Sequence, residues 1–195
     1  DNQRQLGRIL VLADAAHSFG ATYKGKRVGG QTDVAGFSFH AVKNLTTAEG
    51  GAVTFNLPEP FNNEEIRKSL NISALHGQTK DALSKTQAGQ WRYDIIEAGY
   101  KCNMTDLHAA IGLVELERYQ ETLDRRKDIC NLYSSSLEES KLFVLPAFEN
   151  NESSSCYHLY MINVIGASES QRDQIITELA LLGISTNVHF QPIPL

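Results

Sequence analysis

The feature that constrains the fold most is a short, uninterrupted apolar run near the start of the chain. Residues 9–13 read ILVLA, and the run ends at Asp14, shortly before His17. Such a run is typical of a strand buried on both faces, as in a parallel sheet. Ligands of α/β proteins bind beyond the carboxyl ends of such strands, so Asp14 and His17 lie where function is expected. A single aspartate more commonly caps a turn, however.

A second apolar stretch surrounds the lysine of greatest interest. The alternating pattern in residues 34–39 predicts a short strand, and residues 52–55 predict a second strand that pairs with it. Lys43 then lies on the connection between the two strands, shortly after Ser38. Apolar neighbours lower the pKa of a lysine, and a partly neutral amine is what Schiff-base formation requires. Because a lone lysine is usually a solvated surface residue, Lys43 becomes a candidate only together with other residues.

The remainder of the chain predicts helices and further strands. Polar residues are placed to cap three helices: Asn62 or Asn63, Thr105 and Ser168. The helical pattern after Thr105 carries an apolar stripe, and a second charged helix, or a continuation of the first, runs to about residue 137. Residues 76–92 lack periodicity and predict a long loop. Three apolar segments predict strands: residues 142–145, 157–165 and 184–190. This succession predicts an α/β fold with a small α+β domain at the end.

Composition excludes several classes of function. The chain has 18 Lys and Arg residues against 23 Asp and Glu residues, a net charge of −5, so no basic field favours nucleic acid or an anionic membrane. Its apolar stretches are too short to span a membrane. The 3 cysteines form no C-x-x-C pair and the 6 histidines show no ligand spacing. We therefore expect no metal site and a reducing, cytoplasmic setting.

Four residues in the first half match the chemical needs of pyridoxal phosphate. That cofactor needs an amine, an anion at its pyridine nitrogen, donors for its phosphate and a group facing its phenolic oxygen. Lys43, Asp14, Ser38 and His17 supply these in that order. A carboxylate keeps the ring nitrogen protonated, and a serine hydroxyl donates a charge-assisted bond to phosphate. His40 is expected to be a packed or hydrogen-bonded neighbour rather than a base.

Three ordered blocks span most of the chain and carry a resemblance to a known family. They are DAAHSFGA at residues 14–21, FSFHAVKNLTTAEGG at residues 37–51 and GYKCNMTD at residues 99–106. Together with YHLY at residues 157–160 and VHF at residues 188–190, they resemble the DegT/DnrJ/EryC1/StrS family. These proteins are pyridoxal-phosphate-dependent sugar aminotransferases of the aspartate aminotransferase fold, type I.

The resemblance implies a role for each residue that matches the cofactor site. Lys43 matches the lysine that binds the cofactor covalently, and Asp14 matches the partner of the pyridine nitrogen. His17 matches a position, often Gln or His, that faces the phenolic oxygen. Ser38 matches the phosphate-binding serine. A related branch dehydrates sugars and carries His in place of the lysine, so Lys43 favours transamination.

Two further residues are implied to act at or near the site. Asn103 resembles the asparagine that the other subunit of a homodimer gives to the cofactor phosphate, with Lys101 as an alternative match. His189 matches a stretch near the sugar-nucleotide substrate. The resemblance thus implies a homodimer with shared active sites.

The resemblance also implies the domain arrangement and the reaction. Residues 1–125 are expected to be the C-terminal portion of the large cofactor-binding domain, with a mainly parallel sheet. Residues 126–195 are expected to be an incomplete small α+β domain. The implied reaction transfers an amino group to a nucleotide-activated keto sugar, with L-glutamate as donor. The implied setting is cell-surface polysaccharide or secondary-metabolite sugar biosynthesis.

The start of the chain departs from the family pattern. The family has a long segment before the first block, with a Gly/Thr loop around the phosphate and an aromatic ring that stacks on the cofactor. We therefore expect the chain to be a fragment of a longer enzyme, with reduced cofactor affinity by itself. The alternative is a non-catalytic fragment or paralogue that only dimerises or binds. Intact Asp14, Ser38 and Lys43 favour an enzyme as the parent protein.

Overall fold

A computed structural model of the protein describes residues 2–79 and 92–190. Its helices are α1 (Asn2–Leu6), α2 (Asn63–Ala74), α3 (Asp106–Glu117), α4 (Tyr119–Leu137) and α5 (Glu169–Leu181). Its strands are β1 (Leu12–Asp14), β2 (Thr22–Tyr23), β3 (Lys26–Arg27), β4 (Val34–Ser38), β5 (Gly51–Phe55), β6 (Phe143–Val144), β7 (Ser153–Ser154) and β8 (Asn163–Val164). Most of the predicted 76–92 loop lies outside the described residues.

The main sheet has the order β1-β4-β5. β1 and β4 are parallel, with Asp14 opposite Gly36, and β4 and β5 are antiparallel, with Ser38 opposite Gly51. The parallel strand pair and the pairing of the two strands around Lys43 are therefore confirmed. Because β1 and β4 run the same way, their carboxyl ends lie at one edge of the sheet.

The predicted burial of the first apolar run is wrong within the described part of the chain. Ile9 is 75% exposed and Leu12 is 65% exposed. The strand is also shorter than predicted, because only Leu12–Asp14 pairs. Among the described strands, β4 is the only sheet neighbour of β1. The apolar pattern identifies a surface that favours burial, but burial also requires an element that covers it.

The core joins the sheet to α4 through aromatic side chains. The ring of Phe19 makes edge-to-face contacts with Phe37, Phe39 and Tyr119 at centroid distances of 5.6, 5.5 and 5.1 Å. The Tyr119 hydroxyl donates a hydrogen bond to the Phe19 carbonyl. A Cβ at Gly20, whose φ is +91°, would overlap the Tyr119 ring, so this position requires glycine.

The long helical pattern is split into two helices. Thr105 caps α3, as predicted, by accepting a hydrogen bond from the His108 backbone N–H. The apolar stripe of α3 is exposed, however, with Leu107 80% exposed. On α4, three residues of one face are buried: Tyr119, Leu123 and Cys130. In the described part of the chain, one face of α4 is therefore buried, whereas α3 has no buried residue.

The last third of the chain contains less strand than predicted. β6 and β8 pair, but β8 covers only part of residues 157–165, and residues 184–190 contain no strand. The left-handed φ of Tyr157, +53°, interrupts an extended backbone there. An apolar alternation cannot form a strand without a partner that accepts its backbone hydrogen bonds. The predictions for these two segments are wrong in that respect.

The helix start predicted at Ser168 is confirmed. Ser168 and Gln171 form a capping box at the start of α5. Gly183, with φ of +79°, follows the helix end and its N–H bonds to the Ala180 carbonyl. α2 likewise begins after Asn62, whose side chain accepts from the N–H groups of Glu64 and Glu65.

The two parts of the chain meet through β7, which pairs with β2. α4 runs through the predicted domain boundary at residue 125, so the division into two domains stays a prediction. Among the described residues, no helix has the length and apolar character needed to cross a membrane, and no cluster of metal-ligating side chains is present.

Candidate active site

The candidate residues of the first half lie at one edge of the main sheet. Asp14 is the last residue of β1, and Ser38 is the last residue of β4. Lys43 follows on the connection that leads from β4 to β5. The carboxyl ends of the two parallel strands thus place a carboxylate and a hydroxyl near the start of the turn that carries the lysine.

The turn that carries Lys43 is held by its own hydrogen bonds. The Phe39 N–H donates to the Gly50 carbonyl at 2.8 Å, and the Thr47 N–H donates to the Phe39 carbonyl at 2.9 Å. The Lys43 N–H donates to the His40 carbonyl at 2.9 Å. Thr47 and Leu45 are buried, which anchors the turn in the core. The backbone of Lys43 is therefore fixed from both sides.

Asn44 links this turn to a distant part of the chain. Its side chain is buried, its Nδ2 donates to the Cys156 carbonyl at 2.5 Å, and its Oδ1 lies 2.7 Å from Nδ1 of His158. The thiol of Cys156 in turn donates to the His17 carbonyl at 2.8 Å. The segment around residues 156–158 is thus attached to both the Lys43 turn and the loop after β1.

Three histidines meet beside the lysine. The His17 ring lies 4.4 Å from the His158 ring and 5.4 Å from the His189 ring, measured between centroids. His17 and His158 are half-buried, whereas His189 is exposed. Two of the predicted site residues, His17 and His189, are therefore in contact, although 172 positions separate them in the sequence (189 − 17 = 172).

Burial and neighbouring groups favour the neutral forms of the two half-buried histidines. Burial lowers the pKa of His17, the proximity of Lys43 and His189 lowers it further, and the Asp14 carboxylate raises it. Burial is also the main reason that the pKa of His158 falls to about 4, with added repulsion from His17 and Lys43. Lys43 and Asp14 are thus close enough to influence the same imidazole.

The polar atoms of the candidate residues are available to a ligand. Asp14 is exposed, and its Oδ1 accepts one hydrogen bond, from the Ala16 N–H at 3.1 Å. Ser38 is half-buried, and its hydroxyl oxygen accepts a long bond of 3.4 Å from the His40 N–H. Lys43 is half-buried, and its amine has no salt bridge within the described ranges. This set combines an amine, a carboxylate and a hydroxyl with free hydrogen-bonding capacity.

Two residues singled out in the sequence lie outside this cluster. Asn103 is exposed, and its side-chain carbonyl accepts a hydrogen bond from the Lys101 amine. The contacts described for Asn103 do not join it to Lys43 or His17, and its assignment to the site of a second subunit stays a prediction. His40 is exposed, with its Nε2 3.6 Å from a Glu49 carboxylate oxygen, so it does not point into a buried core.

Sequence reasoning assigned no role to Asn44 and His158. Both belong to segments that carry the family resemblance, but neither stands in a recognisable spacing with its partner, because 114 positions separate them. The available signal was weak: Asn44 is a polar residue between apolar neighbours, Val42 and Leu45, next to the candidate lysine.

Comparison with known proteins identifies the class. A family model described as the DegT/DnrJ/EryC1/StrS aminotransferase family matches residues 5–195. The chain belongs to this family. It spans about half the length of the curated relatives that it matches, with 46% of one and 45% of another covered.

Three relatives illustrate the similarity. The chain is 35% identical, over 95% of its length, to the spore coat polysaccharide biosynthesis protein SpsC of Bacillus subtilis. It is 33% identical, over 94% of its length, to the UDP-4-amino-4,6-dideoxy-N-acetyl-β-L-altrosamine transaminase of Campylobacter jejuni. Its fold is similar to that of the putative sugar aminotransferase Spr1654 of Streptococcus pneumoniae in its PMP form, with a TM-score of 0.90 and 47% identity over 98% of this chain and 48% of that chain. A PLP form of Spr1654 is also known.

Proposed function

We propose that the protein containing this chain is a pyridoxal-phosphate-dependent aminotransferase that acts on a nucleotide-activated keto sugar. The observation that supports this most directly is the amine of Lys43, which has no salt bridge among the described residues, beside His17 at the sheet edge where Asp14 ends β1. Family membership and the sugar-related names of the relatives favour the same reaction. L-Glutamate is the proposed amino donor.

The residues at the sheet edge fit pyridoxal phosphate. Asp14 would face the pyridine nitrogen, Ser38 would donate to the phosphate, and His17 would face the phenolic oxygen. Lys43 would hold the cofactor covalently. When bound, the cofactor supplies an electron sink that makes the carbon bearing the amino group acidic. The carboxylate, hydroxyl and amine all retain unused hydrogen-bonding capacity, as binding requires.

Lys43 would also carry the proton during transfer. Its Nζ would accept the proton from the amino-bearing carbon of the donor and return a proton when the keto sugar is aminated. A fixed backbone with a flexible side chain suits this role, because the amine must reach more than one position. Its lowered pKa favours the neutral form of His17, which would accept or donate a hydrogen bond at the phenolic oxygen without adding positive charge.

The remaining parts of the proposal concern substrate and partner. His189, in contact with His17, would face the sugar-nucleotide substrate. Asn103 would act on the phosphate in the site of the other subunit of a homodimer. The proposed setting is a cytoplasmic pathway for cell-surface polysaccharide or secondary-metabolite amino sugars.

The test uses the whole protein that contains these residues, supplied with pyridoxal phosphate. A visible absorbance band from cofactor bound at Lys43 should appear, should be lost on borohydride reduction, which makes the attachment to the lysine permanent, and should be absent in Lys43→Ala. Peptide mapping after reduction should locate the cofactor on Lys43. A whole protein that binds no cofactor would contradict the proposal.

A second assay separates catalysis from binding. The protein is incubated with L-glutamate and a panel of keto-sugar nucleotides, and the amino sugars are identified by mass spectrometry. Formation of an amino sugar with release of 2-oxoglutarate supports the proposal. Cofactor binding without amino transfer to any member of the panel would favour the alternative of a protein that only binds.

A further inference from the structure

The side chain of Asn44 has two neighbours that determine its orientation. It is buried next to Lys43, and its two polar ends contact the Cys156 carbonyl and the His158 ring at 2.5 and 2.7 Å. A backbone carbonyl only accepts hydrogen bonds, so the group that faces Cys156 must be the amide nitrogen, Nδ2. The carbonyl oxygen, Oδ1, therefore faces His158.

This orientation determines the tautomer of His158. The Oδ1 atom of Asn44 only accepts, so Nδ1 of His158 must carry the proton that it receives. The pKa of His158 is about 4, mainly because the ring is half-buried, so the ring is neutral at pH 7 and Nε2 carries no proton. The charged or titratable groups that act on this ring are His17, Lys43, Arg126 and His189.

The position of this pair relates it to the proposed chemistry. Asn44 directly follows Lys43 in the chain, and the His158 ring contacts the His17 ring with centroids 4.4 Å apart. One imidazole therefore contacts both the side chain of the residue that follows the lysine and the ring that would face the cofactor. Asn44 and His158 are 114 positions apart in the sequence, so the hydrogen bond between them forms only in the folded protein.

We propose that His158 is a positioning residue for the proposed aminotransferase, holding the Lys43 turn through its Nδ1–H bond to Asn44 while its ring packs against His17. This inference rests on the proposed function. It differs from a purely structural role, because it requires one tautomer and one hydrogen bond rather than ring volume alone.

Two amide substitutions separate the hydrogen bond from the ring volume. In His158→Asn, the side-chain amide nitrogen can take the place of Nδ1 and still donate to Asn44. In His158→Gln, the amide reaches the place of Nε2, so the bond to Asn44 is lost although a polar side chain remains. His158→Asn is thus the conservative variant, and His158→Gln is its matched control.

The kinetic experiment compares the whole protein with these two variants. His158→Gln should lower kcat about tenfold or more with a smaller change in KM, because a lysine that is slightly misplaced slows proton transfer. It should also shift the pH at which the visible band of cofactor bound at Lys43 changes. His158→Asn should restore both properties to within about threefold of the unsubstituted protein. Equal effects of the two variants, including no effect of either, would overturn the proposal.

A spectroscopic experiment gives a readout that needs neither cofactor nor activity. With ¹⁵N-labelled histidine in the whole protein at pH 7, Nδ1 of His158 should show the shift of a protonated nitrogen and Nε2 that of an unprotonated one. In Asn44→Leu this preference should disappear. The opposite tautomer, or a charged ring at pH 7, would overturn the proposal. If the unsubstituted protein shows the expected tautomer but binds no cofactor, the proposed function fails while the Asn44–His158 contact stands.

Discussion

The turn that carries Lys43 and the outer face of α3 are both rich in apolar residues, yet the structure treats them differently. In the turn, Leu45 is buried and the backbone hydrogen bonds around it are formed within this chain. On α3, Leu107 and Val114 lie on the predicted apolar stripe and are exposed. An apolar pattern therefore identifies a surface that favours burial, but only long-range contacts determine whether it is covered.

The largest expected effect lies in the buried region. Phe37→Ala should lower the free energy of unfolding by about 3–5 kcal/mol, because Phe37 is buried against Phe19 and truncation leaves a cavity. The matched control is Val53→Ala on the neighbouring strand, where the side chain is 54% exposed and the loss should stay below about 1 kcal/mol. Urea unfolding measures both. Similar losses for the two variants would contradict the contrast between the regions.

The next largest effect concerns a close approach of the backbone to an aromatic ring. Gly20→Ala should cost about 2–5 kcal/mol, because it combines a left-handed φ with overlap against Tyr119. Gly25 has a similar left-handed φ, +72°, but open space around it. Gly25→Ala should therefore cost only about 1–2 kcal/mol. The difference in urea midpoint isolates the contact with Tyr119, and equal midpoints would show that the ring moves aside.

The lowered pKa of His158 should make the stability of the protein depend on pH. Its folded pKa of about 4 lies below the ordinary value of 6.5, so the unfolded state binds a proton first as the pH falls. Stability should be highest above pH 6.5 and should fall as the pH decreases towards 4. The urea midpoint across this range should change less in His158→Asn. An unchanged slope in the variant would assign the effect to other groups.

Asp33 should make stability depend on pH in a second, more acidic pH range. Its carboxylate accepts hydrogen bonds from Arg8 and the Val11 N–H, which lower its pKa from 3.8 to about 2. The stabilisation is therefore present above pH 3.8 and is lost as the pH falls towards 2. Asp33→Asn should remove the pH dependence of stability between pH 3.8 and 2 without changing the dependence that His158 causes between pH 6.5 and 4. Loss of both dependences together would contradict the assignment.

The smallest expected effect is on the exposed face of α3. Leu107→Lys should change the free energy of unfolding of the 195-residue chain by no more than about 0.5 kcal/mol, because the side chain is 80% exposed. Repeating the measurement in the whole protein extends the comparison. A large loss in the 195-residue chain itself would show that this face is buried in solution.

The predictable parts of the fold were those with local causes. The capping residues of α2, α3 and α5 act within a few positions of themselves, so their side chains marked the helix starts correctly. The strand pair around Lys43 is also local, because one turn joins β4 to β5. The candidate residues at this sheet edge followed from the strand ends and from the family resemblance.

The features that were missed depend on distant contacts. Residues 184–190 have an apolar pattern but no described strand beside them, so they form no strand. The Asn44–His158 bond joins positions 114 residues apart, and neither residue type predicts the other. The sequence left open whether α4 is a second helix or a continuation of α3, because helical periodicity continues through the break at Arg118.

Under the proposed function, the turn that carries Lys43 has a consequence for repeated reaction cycles. The strands on either side and the hydrogen bonds of Phe39 fix the backbone of this turn. The amine of Lys43 is therefore a mobile group at the end of a flexible side chain on a fixed backbone. For the amine to leave a bound group and return to it, only rotations about side-chain bonds are needed. These rotations take far less time than a loop rearrangement. Because the backbone of the turn does not move, the lysine side chain can return to the same starting position after each cycle.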